Sequence, residues 1–381
     1  MRLSLFSAAV YTAGRFVAAL VLAAVCGRAA VLSIPSQSAA SGQLLASSIA
    51  LAAEGSSISG VQFDLDWDEG LELQIATGSE LRNAGKLIYT APLGGHGMRV
   101  LIIGVNQNRI ADGELLRLFL VVKAAAGSLQ VRFANPVAVT GEGSGVSIRG
   151  AAAAIRIDPT SSGTPLVPES VLNAASLRPG PIAPGEIVTL LGAFGIDTNS
   201  SPAVAATINR LPATVLYALG NQVNIVVPDG LDTGNAAELE LHIADRQLAK
   251  ITLQTAVASP ALFTQSGTGV GPGAILNQDN SPNSPVNPAA AGSIVMVYGT
   301  SFGPVIPSSD GSFSPVSVPV VARVSGILAE VLYAGPAPGL SEGVIQINIR
   351  IPNSVRPGST VAISLSAGNI AMPDGVTLSV R

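Results

Sequence analysis

Cysteine is almost absent from this chain. The 381 residues hold one, Cys26, inside an apolar N-terminal run. Past that run there is no thiol, which excludes disulfides, thiolate catalysis and cysteine-ligated metals. Lysine occurs three times, as Lys86, Lys123 and Lys250, charged residues make up 12% and the net charge is −4. That balance offers no basic patch of the kind a nucleic acid needs. Aromatics are 4%, with Trp67 the one tryptophan. Two histidines, His96 and His242, stand far apart and without the partners that a triad or a metal centre requires. No phosphate loop, serine elbow or dinucleotide fingerprint is present. Nor does any stretch after residue 30 show a helical period.

Glycine (41) and proline (26) are plentiful, and with so little charge they point to short strands joined by turns. The N-terminus reads as an export signal over residues 1–30. Arg2 and Arg15 are positive, and Phe16 to Cys26 is an apolar run of 11 residues, too short for a span of about 20. Cleavage is expected near Ala29 or Ala30, with an N-terminal membrane anchor as the competing reading. Ala23-Ala-Val-Cys26 fits the Leu-Ala-Gly-Cys lipid-attachment pattern poorly. Loss of the signal removes three arginines and no acid, so the mature charge is −4 − 3 = −7.

Three segments occur twice in the same order. Gly185-Glu-Ile-Val-Thr-Leu-Leu-Gly192 returns as Gly292-Ser-Ile-Val-Met-Val-Tyr-Gly299. Ala213-Thr-Val-Leu-Tyr-Ala218 returns as Ala329-Glu-Val-Leu-Tyr-Ala334. Gln222-Val-Asn-Ile-Val-Val-Pro228 returns as Gln346-Ile-Asn-Ile-Arg-Ile-Pro352. The offsets grow from 107 to 116 to 124 residues, so loops lengthen in the second copy. A unit of this size is a small domain, since solenoid repeats run to roughly 20–50 residues. The chain therefore divides into a module at 31–158, a Pro/Ser/Gly linker at 159–170, repeat one at 171–265, and a lead-in loop with repeat two at 266–381.

In the first module, Val61, Phe63, Leu65 and Trp67 alternate with Gln62, Asp64, Asp66 and Asp68, a strand with one buried and one solvated face. Arg99–Val105, Leu115–Val122, Leu129–Phe133 and Ala153–Ile157 are further strands. Val31-Leu-Ser-Ile-Pro, Ile58-Ser-Gly-Val-Gln-Phe-Asp-Leu-Asp-Trp-Asp68 and Asp112-Gly-Glu-Leu-Leu-Arg-Leu-Phe-Leu-Val-Val122 make this module resemble a cohesin. The resemblance implies a jelly-roll β-sandwich, a look shared with carbohydrate-binding sandwiches, and a dockerin-like protein partner. It assigns no interface residues. The second half resembles the Solibacter-type C-terminal domain family of secreted acidobacterial proteins. Val171-Leu-Asn-Ala-Ala-Ser176, Ile182-Ala-Pro-Gly-Glu-Ile-Val188, Gln222 to Pro228, Ser259-Pro-Ala-Leu-Phe-Thr264 and Asn287-Pro-Ala289 carry that resemblance. It implies tandem immunoglobulin-like sandwiches acting as extracellular spacers and brings no established activity. The expected fold is all-β throughout.

Few clusters invite chemistry. Asp64, Asp66 and Asp68 resemble the start of a calcium loop, but Glu69 and Ile75 stand where such a loop needs glycine and a bidentate acid. A surface Ca²⁺ site there is set against a solvated strand face ending in a turn. Asp279-Asn-Ser-Pro-Asn-Ser-Pro-Val-Asn287 is rich in oxygen ligands and equally reads as turns. Trp67 alternates into the core, which competes with a sugar-stacking role. Tyr217 and Tyr333, at equivalent repeat positions, read as core or corner residues. In Gln-x-Asn-x-x-x-Pro the paired amides are expected to tie neighbouring loops, with proline ending the strand. The sequence thus describes a secreted or cell-surface, non-catalytic β-protein without cofactor, other than the Ca²⁺ candidate. Its first module would dock a protein partner, and no membrane span remains after the signal. The alternative is an extracellular polysaccharide-binding or adhesion protein. A glycan-active enzyme would require a cleft with two facing carboxylates.

Overall fold

Alternation sets the strands of this chain, and proline and glycine end them. The computed structural model describes residues 29–196, 203–244, 246–306 and 315–381. The expected export signal thus lies almost wholly outside the described residues. Ala30, at its expected edge, already belongs to the first strand, Ala30–Ser33, and is buried. Among the described residues the architecture is all-β, broken by a one-turn helix at Ser79–Asn83 and a 3-10 turn at Pro168–Ser170. Neither is long and apolar enough to cross a membrane.

The first module is a sandwich of a five-stranded and a seven-stranded sheet. Its two ends run side by side. Ala30–Ser33 pairs parallel with Ile148–Ala151 in the five-stranded sheet, and Gln37–Ser41 pairs parallel with Ala153–Ser162 in the other. Both ends therefore cross between sheets together. Pro35 sits at the first crossing, where the missing N–H costs no ladder bond. Phe63, Leu65, Val100, Ile102, Leu116, Leu118 and Ile155 fill the space between sheets. Gly60–Trp67 is the strand whose alternation was legible, and Trp67 packs against this core as expected.

Repeat one is a six-stranded array and repeat two a ten-stranded one. In each, one strand links the two layers. Leu211–Val226 pairs with Val204–Ile208 through its first residues and with Ile187–Ile196 through its last. Ile327–Pro336 does the same with Val320–Val324 and Ile345–Arg350. The duplicated Ala-x-Val-Leu-Tyr-Ala text lies on these sheet-switching strands. In repeat one the strand runs on into Gln222 and Asn224. In repeat two a loop over 337–344 interrupts it, and this accounts for the last growth in offset, 124 − 116 = 8 residues.

The repeated glycines have a common cause. A Cβ on Gly192 would lie 2.2 Å from the Phe194 ring and 2.6 Å from Pro165 O; on Gly299 it would lie 2.3 Å from Ala261 O and 2.8 Å from Phe302. Both positions admit a phenyl ring and a neighbouring backbone where a side chain would stand. The repeated amides behave differently from expectation. Gln222 Nε2 donates to Asn224 Oδ1 at 2.9 Å, and Gln346 Nε2 to Asn348 Oδ1 at 2.8 Å. Each pair bonds along its own strand face rather than to a neighbouring loop.

The modules touch. Leu44, Ala76, Phe119 and Val121 on the outer face of the five-stranded sheet form a small core with Leu172 and Leu191 of repeat one. Asn221 donates to Glu72 across the same contact. The segment over 159–170 lies in this seam: Leu44 N–H donates to Thr164 O at 3.1 Å, Ala193 N–H to Pro165 O at 2.7 Å, and Leu166 is buried in the core of repeat one. The lead-in segment of repeat two is ordered as well, with Gly271–Pro272 and Ile275–Asn277 paired into its sheets.

Candidate docking face and the inter-repeat cleft

Repeat one packs on part of the five-stranded sheet, around Phe119 and Val121, and the outer face of the seven-stranded sheet is the module's other broad surface. Residues opposite one another in an antiparallel ladder share a face. Tyr89 opposes Leu101, Leu101 opposes Gln62, and Gln62 opposes Val137. The adjoining row is Ala91, Arg99, Asp64 and Ala134. Leu87 opposes Ile103 at the edge. Tyr89 is 48% exposed and Ile103 40%. The face therefore presents a mostly apolar row with a charged pair beside it.

That pair corrects the reading of Asp64 as a solvated residue. Asp64 is only 4% exposed, because its strand is central and neighbouring side chains close over it. Arg99 clamps it twice, Nε to Oδ1 at 2.7 Å and Nη2 to Oδ2 at 2.9 Å, and Asn135 Nδ2 adds a third bond at 2.9 Å. The Arg99 guanidinium holds Asp64 below the usual carboxylate range, Asn135 adds to this, and burial opposes it. Asp68 is held by Arg132 and by the Gln130 amide, and Arg132 likewise lowers its pKa. Asp66 keeps its carboxylate beside Gly97. No group of three metal-ligating side chains stands together among the described residues.

The other candidates are dispersed. His96 is exposed on its glycine loop, while His242 lies 3.7 Å from Glu240 on a repeat-one strand. Asp279 accepts from the Ser281 amide and hydroxyl, and Asn277, Asn283 and Asn287 knit the rest of that loop together. This is turn chemistry. Tyr333 donates to Pro336 O at 2.9 Å, a corner role as expected. Tyr217 departs from expectation: it is 44% exposed on the outside of its long strand.

Two features were invisible in the sequence. The first is a cleft of about 180 Å³ between the repeats, lined by Gly185, Asp229 and Ser301 with the 336–345 segment. Asp229 and Glu342 both face it. Burial, then the charge of Glu342, raises the Asp229 pKa. The volume falls below the roughly 300–1,000 Å³ of small-molecule sites.

Behind the cleft lies the second, Glu186, a fully buried carboxyl. Asn173 Nδ2 donates to its Oε1 at 2.8 Å; the Ala183 amide and the Ser301 hydroxyl donate to Oε2 at 2.8 and 3.2 Å. Burial pushes its pKa up to about 8 against these donors. Ser301 comes from the second repeat. Beside it, Ile187 N–H donates to Thr300 Oγ1 at 2.8 Å, and Thr300 donates to Gly343 O at 2.9 Å. The equivalent of Glu186 is Ser293, which closes on its own turn by donating to Ala290 O at 2.6 Å. The repeats thus differ where one must clasp the other. Lys86 is a further buried charge, donating to Ser59 Oγ at 2.8 Å and Asn106 O at 2.9 Å, with its pKa lowered by burial.

No family model matches the chain, and no curated protein matches it. Among solved structures, the chain is similar to a non-cellulosomal cohesin from the hyperthermophilic archaeon Archaeoglobus fulgidus, at 18% identity and a TM-score of 0.31, over 34% of this chain and 91% of that one. It is similar to the sixth cohesin of Acetivibrio cellulolyticus scaffoldin B, solved in complex with a dockerin, at 19% identity and a TM-score of 0.31, over 34% and 99%. An OlpA cohesin from Clostridium thermocellum, also in complex with a dockerin, gives 12% identity and a TM-score of 0.32, over 34% and 100%. Each is a likeness to about a third of the chain.

Proposed function

We propose that this is a secreted, non-catalytic scaffold protein whose first module docks a protein partner on the outer face of its seven-stranded sheet. The observation that carries the reading is the division of that module's two faces. One is partly covered by Leu172 and Leu191 of repeat one. The other displays Tyr89, Leu101 and Ile103 around the Asp64–Arg99 pair. Interfaces have this anatomy, with aromatic and arginine anchors inside a polar surround. The partner we propose is a dockerin-like module, on the sequence patterns at 31–35, 58–68 and 112–122. The tandem repeats act as the spacer that presents it. A polysaccharide would need a platform of exposed aromatics, and among the described residues only Tyr89 and Tyr217 are strongly exposed, on different modules.

The test is capture of partners from the secreted proteins of the source organism on the immobilised protein, with Ca²⁺ and with chelator. Stoichiometric recovery of a dockerin-bearing protein is expected. Recovery of nothing, with retention of the protein on insoluble polysaccharide, contradicts the reading. We also propose that the face holds no Ca²⁺ of its own. A cation bound by Asp64, Asp66 and Asp68 would have to displace Arg99 and Arg132 from their carboxylates. Calorimetric titration of Ca²⁺ into the purified protein should show no saturable site; one-site binding that disappears in Asp66→Asn would overturn this.

A further inference from the structure

The two seams of the molecule differ in kind. The first module meets repeat one through an apolar cluster, Leu44, Phe119 and Val121 against Leu172 and Leu191. At the seam between the repeats polar groups meet, and each repeat keeps a hydrophobic cluster of its own. The chain crosses from one to the other at Val257. Ala256 N–H donates to Ile182 O of repeat one at 2.9 Å, Ala258 is buried in the cluster of repeat two, and Val257 between them is exposed. Three bonds then span the seam. Ile187 N–H donates to Thr300 Oγ1 at 2.8 Å, Asn173 Nδ2 donates to Ser259 O at 3.0 Å, and Ser301 Oγ donates to Glu186 Oε2 at 3.2 Å. Repeat two also touches the first module, where Thr77 Oγ1 donates to Thr268 O at 3.4 Å and Leu87 lies against Gly271.

Glu186 is at the centre of this seam. Asn173 and Ser301, two of its three donors, are also residues that join the repeats, and Ile187 is its chain neighbour. Ser301 is held at φ 67°, in the left-handed region that costs a non-glycine residue about 1 kcal/mol or more. Strain is therefore stored in the residue that repeat two offers to the acid. Gly343, at φ +82°, lets the 337–344 loop close on the same spot: its Cβ would stand 2.6 Å from Ile187 Cγ1 and 3.0 Å from Gly185 O. Outside lies the cleft, with Asp229 and Glu342 in its lining and no lysine, arginine or histidine among the described residues there. A Cβ on Gly185 would lie 3.0 Å from Asp229 Oδ1, so that carboxylate stands beside the residue preceding Glu186. Ionisation of Glu186 puts a further negative charge into a seam that already faces two acids.

A buried charge without a counter-ion is costly, and exposure to water relieves the cost. We propose that the seam between the repeats is a proton-gated hinge, closed while Glu186 keeps its proton and opening about Val257 when the proton is lost, with both sandwiches still folded. The sign follows from the two states. Closed, Glu186 holds its proton to about 8; open and hydrated, it returns to the ordinary value of 4.5. Opening between these values releases a proton, so the open fraction rises about tenfold per pH unit in that window and levels off above it. The apolar seam on the other side of repeat one holds no titratable group and stays shut. The hinge thus frees repeat two from a unit made of the first module and repeat one.

The test is hydrogen exchange resolved to single amides on the whole purified protein. The Ile187 amide reports the seam, because its acceptor belongs to repeat two, and the strand Ala236–Ile243 reports the core of repeat one. Protection at Ile187, corrected for the intrinsic rate at each pH, should fall about tenfold per unit from pH 5 to 8 and stay level over 236–243. In Glu186→Gln the fall should vanish. Glu342→Gln, at an exposed position of the cleft, keeps the test decisive should the first variant not fold. It should match the parent at pH 5 and raise protection at pH 8 by about two- to fivefold, the effect of one exposed like charge. An equal fall over 236–243 would mean global unfolding and overturn the hinge. So would a pH-independent Ile187 amide, a slope that survives Glu186→Gln, or a Glu342→Gln that matches the parent at pH 8.

Discussion

Glu186 shows how one residue sets the relation between two domains. A fully buried carboxyl with three donors is held between opposing demands, since the donors favour the charged form and burial the neutral one. Burial prevails, and the pKa rises from 4.5 to about 8. The sign of the pH effect follows. Between these values the folded state binds the proton more tightly than the unfolded chain does. Its stabilising contribution is therefore complete below about 4.5 and is lost as pH rises through about 8, at up to about 1.4 kcal/mol per pH unit. The melting temperature of the parent should fall more steeply between pH 5 and 8 than that of Glu186→Gln, which does not titrate. Parallel curves would refute this account of the clasp. Nothing in the text Pro184-Gly-Glu-Ile announces a buried acid. Its donors Asn173 and Ser301 lie 13 and 115 residues away, and only the fold brings them together. Asp64 eluded the sequence for a related reason. Alternation says which face a residue is on, and it is silent about whether an arginine from the next strand covers that face.

At the scale of elements, sequence and structure agree most closely. The strand at 61–68 and the order of the repeats were legible, because period-two alternation and internal duplication are local signals; the sheet-switching strands were marked only as duplicated text. The glycines at 192 and 299 were legible as text and unexplained as chemistry until their neighbours were known. Gly192→Ala and Gly299→Ala should each destabilise by about 1–3 kcal/mol in denaturant melts, through overpacking against a phenyl ring and a backbone carbonyl. Gly180→Ala, with nothing within 4 Å of its added Cβ, should change stability by less than about 0.5 kcal/mol. Equal effects at all three positions would contradict the packing explanation. The eight-residue growth of the second repeat was visible as an offset. Its consequence, a loop that carries Glu342 and Gly343 to the first repeat, was not, because a loop's destination is set by the packing of the modules it joins.

On the scale of the whole molecule, three sandwiches make one arrangement. An apolar seam joins the first to the second, and a buried carboxyl clasps the second to the third. Contacts of this kind hold the modules in one arrangement, and the outer face of the seven-stranded sheet is the surface we propose for docking. The most direct measurement is the affinity of the captured partner for two single variants compared with the parent. Tyr89→Asp places a charge in the exposed apolar row and should weaken binding at least a hundredfold. Tyr217→Asp, equally exposed but on repeat one, should leave it unchanged. Loss of binding in Tyr217→Asp with retention in Tyr89→Asp would place the docking surface on the repeats and contradict the account.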